Sequence, residues 1–320
     1  MGVNDTVTVA FIGAGGMFRE HAKAFASIPG VKLAGVQSRA RARAEAGAKE
    51  FGIPVVADTI AELYEKTKAD LVVIAVPEMS LEPVVDEAFR YDWTFLLEKP
   101  AGFNLPRAEK IAAASKGKRV YVALNRRFNS STKTVLADLD AQSGIRLVNA
   151  YDQQSVADAL AIGHPREVAE SFMYANSIHV IDLIRVFGRG KIKSVQPVIE
   201  YDAAKPGPVV ARIEFESGDL AMYQGIWNGP GPWAVTVTTQ TSRWDLRPLE
   251  KAAVQRKGER VLTPVEQEQA DKDFKAGFKL QAEAVVAAVR GQPSEAPTIE
   301  DSLESMTLVA AIFGHTRIGG

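Results

Sequence analysis

Residues 7–18, VTVAFIGAGGMF, constrain the fold more than any other stretch of the chain. An apolar run ends in glycines, and over residues 17–27 the periodicity turns helical. A strand, a glycine turn and a helix in direct succession predict the opening βα unit of a parallel sheet. The alternation then continues. Strands are expected at residues 31–37, 71–76, 94–97 and 120–123, with helices at 39–51, 81–89 and 105–115. The runs at 71–76 and 94–97 are apolar, as in strands buried on both faces. The expected fold class is α/β, with an N-terminal doubly wound Rossmann domain over residues 1–124. Ligands on such sheets lie at the carboxyl ends of the strands.

The first strand end carries Gly13, Gly15 and Gly16, followed by Met17 and Phe18. Glycines there let a backbone approach a pyrophosphate resting on the helix N-terminus. Phe18 stands where the fingerprint's third glycine belongs. Either the helix stands off the sheet, or the ring turns toward the ligand. At the second strand end, an NAD site places an acid about 20 residues after the glycines. No acid occurs from His21 through Ala44; Gln37, Ser38 and Arg39 stand there, with Arg41 and Arg43 following. A hydroxyl and a guanidinium suit a 2′-phosphate, so NADP(H) is expected over NAD(H), with Ser38, Arg39 and Arg43 as ligands. Arg41 reads as a solvated helix face.

LLEKPAGFN, residues 96–104, follows the strand at 94–97 and puts Glu98 and Lys99 on the same edge. Pro100 restricts Lys99 to extended geometry and could hold a cis bond. A fixed ammonium beside a nicotinamide can stabilise a developing alkoxide; the plain alternative is a solvated lysine at a strand end. Val76 and Pro77 shape the neighbouring loop.

Asn125-Arg126-Arg127-Phe128 marks the boundary of a second domain, residues 125–320. Strand-like runs at 145–151, 192–201, 209–215, 220–227 and 234–239 follow one another with turns between, among them Ser217-Gly218-Asp219. They predict an open, mainly antiparallel sheet with helices on one face. Helical patterns occur at 177–186 and 274–289, and Thr298 with Asp301 reads as the capping box of a terminal helix, which can pack back on the first domain. In MYANSIHVIDLIRVFG, α-helical spacing puts Asn176 and His179 on one face. A histidine suits proton transfer with a hydroxyl, although a lone histidine in an apolar helix is also a common core residue.

The chain has 320 residues and a formal charge of −1, so no whole-chain field draws it to nucleic acid or an anionic membrane. It has no cysteine and four histidines, which leaves no thiol chemistry and no metal site to expect. No apolar stretch reaches the length of a membrane span, and the first residues lack a secretory pattern, so the cytoplasm is the expected location.

The stretches FIGAGGMFREHAKAF, LLEKPAGFN, ALNRRFNSS, NSIHVIDL and PTIEDSLESM resemble the glucose–fructose oxidoreductase / inositol 2-dehydrogenase / MocA (Gfo/Idh/MocA) family in their order along nearly the whole chain. The resemblance implies an NAD(P)-dependent oxidoreductase acting on the CH–OH group of a sugar, sugar nucleotide or cyclitol. It implies that Lys99 touches both the nicotinamide side and the reacting hydroxyl, and that His179 exchanges the proton. The expected cofactor set is Gly13, Gly15, Gly16, Met17, Phe18, Ser38, Arg39, Arg43, Val76, Pro77, Glu98, Lys99 and Asn125. The expected substrate set is Lys99, Arg126, Tyr174, Asn176, His179 and Trp227. Many members carry an aspartate four residues before the histidine; here that position is Ala175. The alternative expectation is therefore a non-catalytic NADP-binding sensor on the same fold. A homodimer or homotetramer through the second domain's sheet is expected.

Overall fold

The computed structural model describes residues 6–319. The chain divides into two compact units. One comprises residues up to Gly102, Pro106–Asn125 and Asp273–Leu303; the other comprises Phe103–Leu105, Arg126–Lys272 and the residues from Glu304 onward.

The first unit alternates strand and helix: β1 (Val7–Ile12), α1 (Gly16–Ala26), β2 (Val31–Gln37), α2 (Arg41–Phe51), β3 (Val55–Ala57), α3 (Ile60–Thr67), β4 (Leu71–Ile74), α4 (Glu78–Ala88), β5 (Thr94–Leu97), α5 (Leu105–Ala114) and β6 (Arg119–Val122). The six strands form a parallel sheet in the order β3-β2-β1-β4-β5-β6. This is the doubly wound order whose switch point lies between β1 and β4. β4 and β5 are buried along their whole length, because helices cover both faces.

Phe18 turns its ring into the core, at 1% exposure. It meets Phe11 and Phe51 edge to face, with centroids 5.1 and 5.9 Å away. Gly47 of α2 makes the room: a Cβ there would lie 2.4 Å from the Phe18 ring. Of the two outcomes the sequence leaves open, neither a displaced helix nor a ligand-facing ring is needed; α2 gives up a side chain instead.

The second unit opens with α6 (Ser130–Asp140) and β7 (Leu147–Gln154), then α7 (Val156–Ala161) and α8 (Arg166–Glu170). A π-helical turn, Met173–Ser177, leads into α9 (Ile178–Phe187). β8 (Ile192–Ile199), β9 (Pro208–Phe215), β10 (Leu220–Trp227), β11 (Ala234–Thr238), β12 (Ser242–Leu246), β13 (Ala252–Arg256) and β14 (Thr263–Val265) follow, then α10 (Gln269–Asp273). The eight-stranded sheet runs β14-β13-β12-β11-β7-β10-β9-β8. Only β7 with β10 pairs parallel; the other pairings are antiparallel. Alternate residues of β10 are buried and half-buried, the pattern of a sheet covered on one face. Between β9 and β10, Gly218 takes φ +86° and its N–H reaches the Phe215 carbonyl at 3.0 Å.

The chain then returns to the first unit. α11 (Phe278–Val289) lays Phe278, Ala282, Val285 and Val286 into the same core as Phe11, Phe18 and Phe25. Burial of Phe278, Val285 and Val286 contributes roughly 1.5–3 kcal/mol each. The last helix, α12 (Ile299–Ile312), is preceded by Thr298. Thr298 N–H donates to Asp301 Oδ2 at 3.0 Å, and Asp301 N–H donates to Thr298 Oγ1 at 3.2 Å, a reciprocal cap.

Candidate functional site

In the first unit the β1–α1 turn is built for a close backbone approach. Gly13 takes φ +102°, and a Cβ there would lie 2.1 Å from the Ala75 carbonyl oxygen, so only glycine fits. Gly15 and Gly16 have ordinary backbone angles but open space where a Cβ would stand. Gly15 caps and Gly16 opens an 11-residue helix with no side-chain cap and no acid in its first turn. Its unpaired N–H groups and positive dipole end face that space. A pyrophosphate fits this cradle. Met17 is partly buried beside it, whereas Phe18 offers a ligand only its backbone.

A cavity of about 540 Å³ continues from the turn, lined by Gly13, Gly15, Ser38, Arg39, Arg43, Val76, Pro77 and Ser80, among others. Arg39 donates to Ser80 Oγ at 3.1 Å, which ties the end of β2 to α4. Ser38 Oγ accepts the Ala40 N–H at 3.3 Å and so closes the β2–α2 turn. Arg41 instead pairs with Glu45 and Asp58, a surface role. Ser80 is a lining residue that the sequence reading missed. A serine in a helix carries no signal until the fold sets it opposite Arg39.

Lys99, partly exposed, follows β5, and its bond to Pro100 is cis. Glu98 points into the protein. Its Oε1 lies 2.7 Å from His21 Nε2 of α1, and its Oε2 accepts the Lys99 N–H at 3.2 Å. Burial alone would raise the Glu98 pKa; His21, Lys99 and Lys275 more than offset it and hold the carboxyl below its ordinary value. Glu98 thus ties α1 to the backbone at Lys99. The Asn125 amide donates to the Ala276 carbonyl at 2.9 Å. Lys275 Nζ stands 3.5 Å from Met17 Sδ, at the N-terminus of α1. No local pattern in the sequence points to either His21 or Lys275.

In the second unit, His179 is buried on the first turn of α9 and meets the Trp233 ring edge to face at 6.0 Å. Arg126 lies over the same indole at 5.6 Å and pairs with Glu250. Arg127 grips Asp182 with two bonds, at 2.8 and 2.7 Å, and Ser305 donates to the same carboxylate at 2.5 Å. Burial would raise the Asp182 pKa, but Arg127, Arg185 and Ser305 outweigh it and the carboxyl stays lowered. Both arginines therefore answer acids of this unit, and Asp182 is structural.

Two expected substrate residues are instead core residues. Trp227, at 2% exposure, packs against Tyr201 and Phe313 with centroids 5.0 and 5.9 Å away, so its ring cannot stack on a sugar. Tyr174 is buried and its hydroxyl lies 2.8 Å from His315 Nδ1; burial pushes its pKa up to about 12. Trp233, at the far end of the loop that joins β10 to β11, is partly exposed. Asn176 sits on the π turn, where bonds close i→i+5, so the four-residue spacing of an α-helix does not carry through this stretch. Its Nδ2 donates to Gln154 Oε1 at 3.1 Å. Beneath it lies a buried acid that the sequence reading passed over, Asp152. Burial pushes its pKa up, against the opposing pull of Ser177, Tyr223, Gln154 and Trp233.

The fold and the glycine cradle define the class: a dinucleotide-binding Rossmann unit joined to a second α/β unit. Residues 7–125 match the Gfo/Idh/MocA family model, described as an oxidoreductase family with NAD-binding Rossmann fold. The matched residues lie mainly in the first unit. Solved structures match over both units. Levoglucosan dehydrogenase, in complex with NADH and levoglucosan, is 14% identical with TM-score 0.80, over 98% of this chain and 100% of that one. UDP-N-acetylglucosamine 3-dehydrogenase from Acidithiobacillus ferrooxidans is 16% identical with TM-score 0.77, over 97% and 98%. A variant 3-ketoreductase from Actinomadura kijaniata, in complex with TDP-benzene and NADP, is 19% identical with TM-score 0.76, over 98% of both chains. At these identities the likeness is one of fold. No curated protein sequence matches the chain. No helix among the described residues is long and apolar enough to cross a membrane.

Proposed function

We propose that the protein is an NADP(H)-dependent oxidoreductase of a sugar, sugar nucleotide or cyclitol. When bound, the nicotinamide gives or takes the hydride at the substrate's carbinol or keto carbon. Gly13, Gly15 and Gly16 admit the pyrophosphate, and Ser38, Arg39 and Arg43 hold the 2′-phosphate. Lys99, held at the end of β5 by its neighbours, stabilises the substrate alkoxide with its ammonium. His179 serves as the proton donor or acceptor. The observation that carries the reading is the cavity at the end of β2, lined by two serine hydroxyls and two guanidiniums and by no acid. The printed ligands of the similar structures, NADH in one and NADP in another, leave the choice of cofactor to this pocket.

The same reading places the protein in the cytoplasm and the half-buried face of its second sheet in a homodimer or homotetramer. A second reading, a sensor that binds NADP without turnover, is favoured by Ala175, which cannot orient an imidazole.

The test is NADP⁺ and NAD⁺ reduction with levoglucosan, myo-inositol and UDP-N-acetylglucosamine. Arg39→Ala should weaken NADPH binding roughly ten- to a hundredfold, the worth of a charged hydrogen bond, and leave NADH binding unchanged. Lys99→Ala should lower kcat by about two to three orders of magnitude. Equal loss of both cofactors in Arg39→Ala would refute the NADP assignment. Tight NADPH binding with no turnover would favour the sensor.

A further inference from the structure

A chain of buried polar groups sets which end of Asn176 meets a ligand. Asp152, at 1% exposure near the end of β7, receives Tyr223 Oη on Oδ2 and Gln154 Nε2 on Oδ1, both at 2.7 Å. Both carboxylate oxygens of Asp152 thus stand as acceptors, one for each donor. Gln154, buried beside it, must therefore turn its NH₂ toward Asp152 and its Oε1 away. Oε1 then takes the Asn176 Nδ2 at 3.1 Å. Each carboxamide is oriented by the one before it, and the order starts at the acid. Asn176 is partly exposed, and among the described residues its Oδ1 receives no side-chain hydrogen bond.

We propose that Asp152 and Gln154 are positioning residues that make Asn176 present a carbonyl oxygen, so that it selects a substrate hydroxyl and disfavours a carbonyl or phosphate oxygen at that position. This rests on the oxidoreductase reading above and adds a directional rule to it. The preference follows from pairing: two oxygen acceptors facing each other leave both without a proton, and an unmet buried acceptor is costly.

The rule predicts a specific rescue. Asp152→Asn lets the relay reverse, with an amide donor at residue 152, so Asn176 can turn its NH₂ outward. Asn176→Asp puts two oxygens face to face at Gln154, unless the relay is already free to reverse. With levoglucosan, myo-inositol and UDP-N-acetylglucosamine as probes, Asp152→Asn should raise KM about tenfold, equivalent to about 1.4 kcal/mol. The double variant should return to within roughly threefold of wild type. Without substrate, Asn176→Asp should lower Tm by on the order of 2–4 °C in the wild-type background, and by less than about half of that in the Asp152→Asn background.

An equal Tm loss in both backgrounds overturns the relay. A double variant with KM no better than Asp152→Asn overturns the ligand-facing oxygen. If the wild type turns over none of the probes, the oxidoreductase reading fails separately; the Tm cycle still decides the relay, and the rise in Tm with saturating probe replaces KM. Should Asp152→Asn not fold, Gln154→Met takes its place. With the relay cut, Asn176→Asp should then cost no more than about 1 °C, and a larger loss counts against the proposal.

Discussion

Glu98 shows how a single side chain can prepare a neighbour it does not resemble in role. Its carboxylate is buried against His21 at 2.7 Å and holds the backbone N–H of Lys99. Its folded pKa lies below the ordinary value. A lowered carboxylate stabilises the folded state above the unfolded value, about 4.3 for Glu, and loses that contribution as pH falls through the lowered folded value. Glu98→Gln should cost about 3 kcal/mol at neutral pH, because it breaks a buried pair. The gap in Tm between wild type and variant should close as the pH is taken below about 4. A gap that stays constant with pH would place the effect in packing. Gly47 is the other residue-scale case. Gly47→Ala sets a methyl 2.4 Å from the Phe18 ring, and denaturant unfolding should register a loss of about 1–3 kcal/mol.

At the scale of the element, what was legible had a local cause. β1, β2 and β5 fall on the residues the apolar runs predict, and the Thr298–Asp301 box starts a helix as read. Thr298→Ala should cost about 1 kcal/mol of stability by denaturant unfolding, and Thr298→Ser much less, since the hydroxyl carries the cap. β3 is three residues long at a sheet edge, and β12 to β14 mix polar with apolar residues, so no run marks them. The π turn at Met173–Ser177 was equally hidden. Its sequence, MYANS, has no signature separating i→i+5 from i→i+4 bonding, and the burial of the Tyr174 and Trp227 rings depends on partners from other elements.

At the scale of the whole molecule, the first unit is built from segments far apart in the chain. Phe278, Ala282, Val285, Val286 and Ala296 close the core of the Rossmann sheet. Residues 1–125 expressed alone should therefore expose that apolar patch, bind a hydrophobic dye and resist protease poorly. Adding residues 273–303 in trans should restore protection, and an equally resistant 1–125 fragment would show the return segment to be dispensable. Composition carries no trace of this arrangement, because a helix of Ala, Val and Phe suits any core.

The sequence by itself determined the βα alternation, the glycine cradle, the basic end of β2 and the place of Lys99. Each follows from local rules: apolar period, φ freedom, charge type and the geometry before a proline. Only the tertiary structure decided that Gly47 houses the Phe18 ring, that His21 holds Glu98, that Trp227 and Tyr174 are core, and that Asp152 orients Asn176 through Gln154. Those depend on which side chains long-range folding brings within hydrogen-bonding or van der Waals reach, and separation along the chain does not encode such distances.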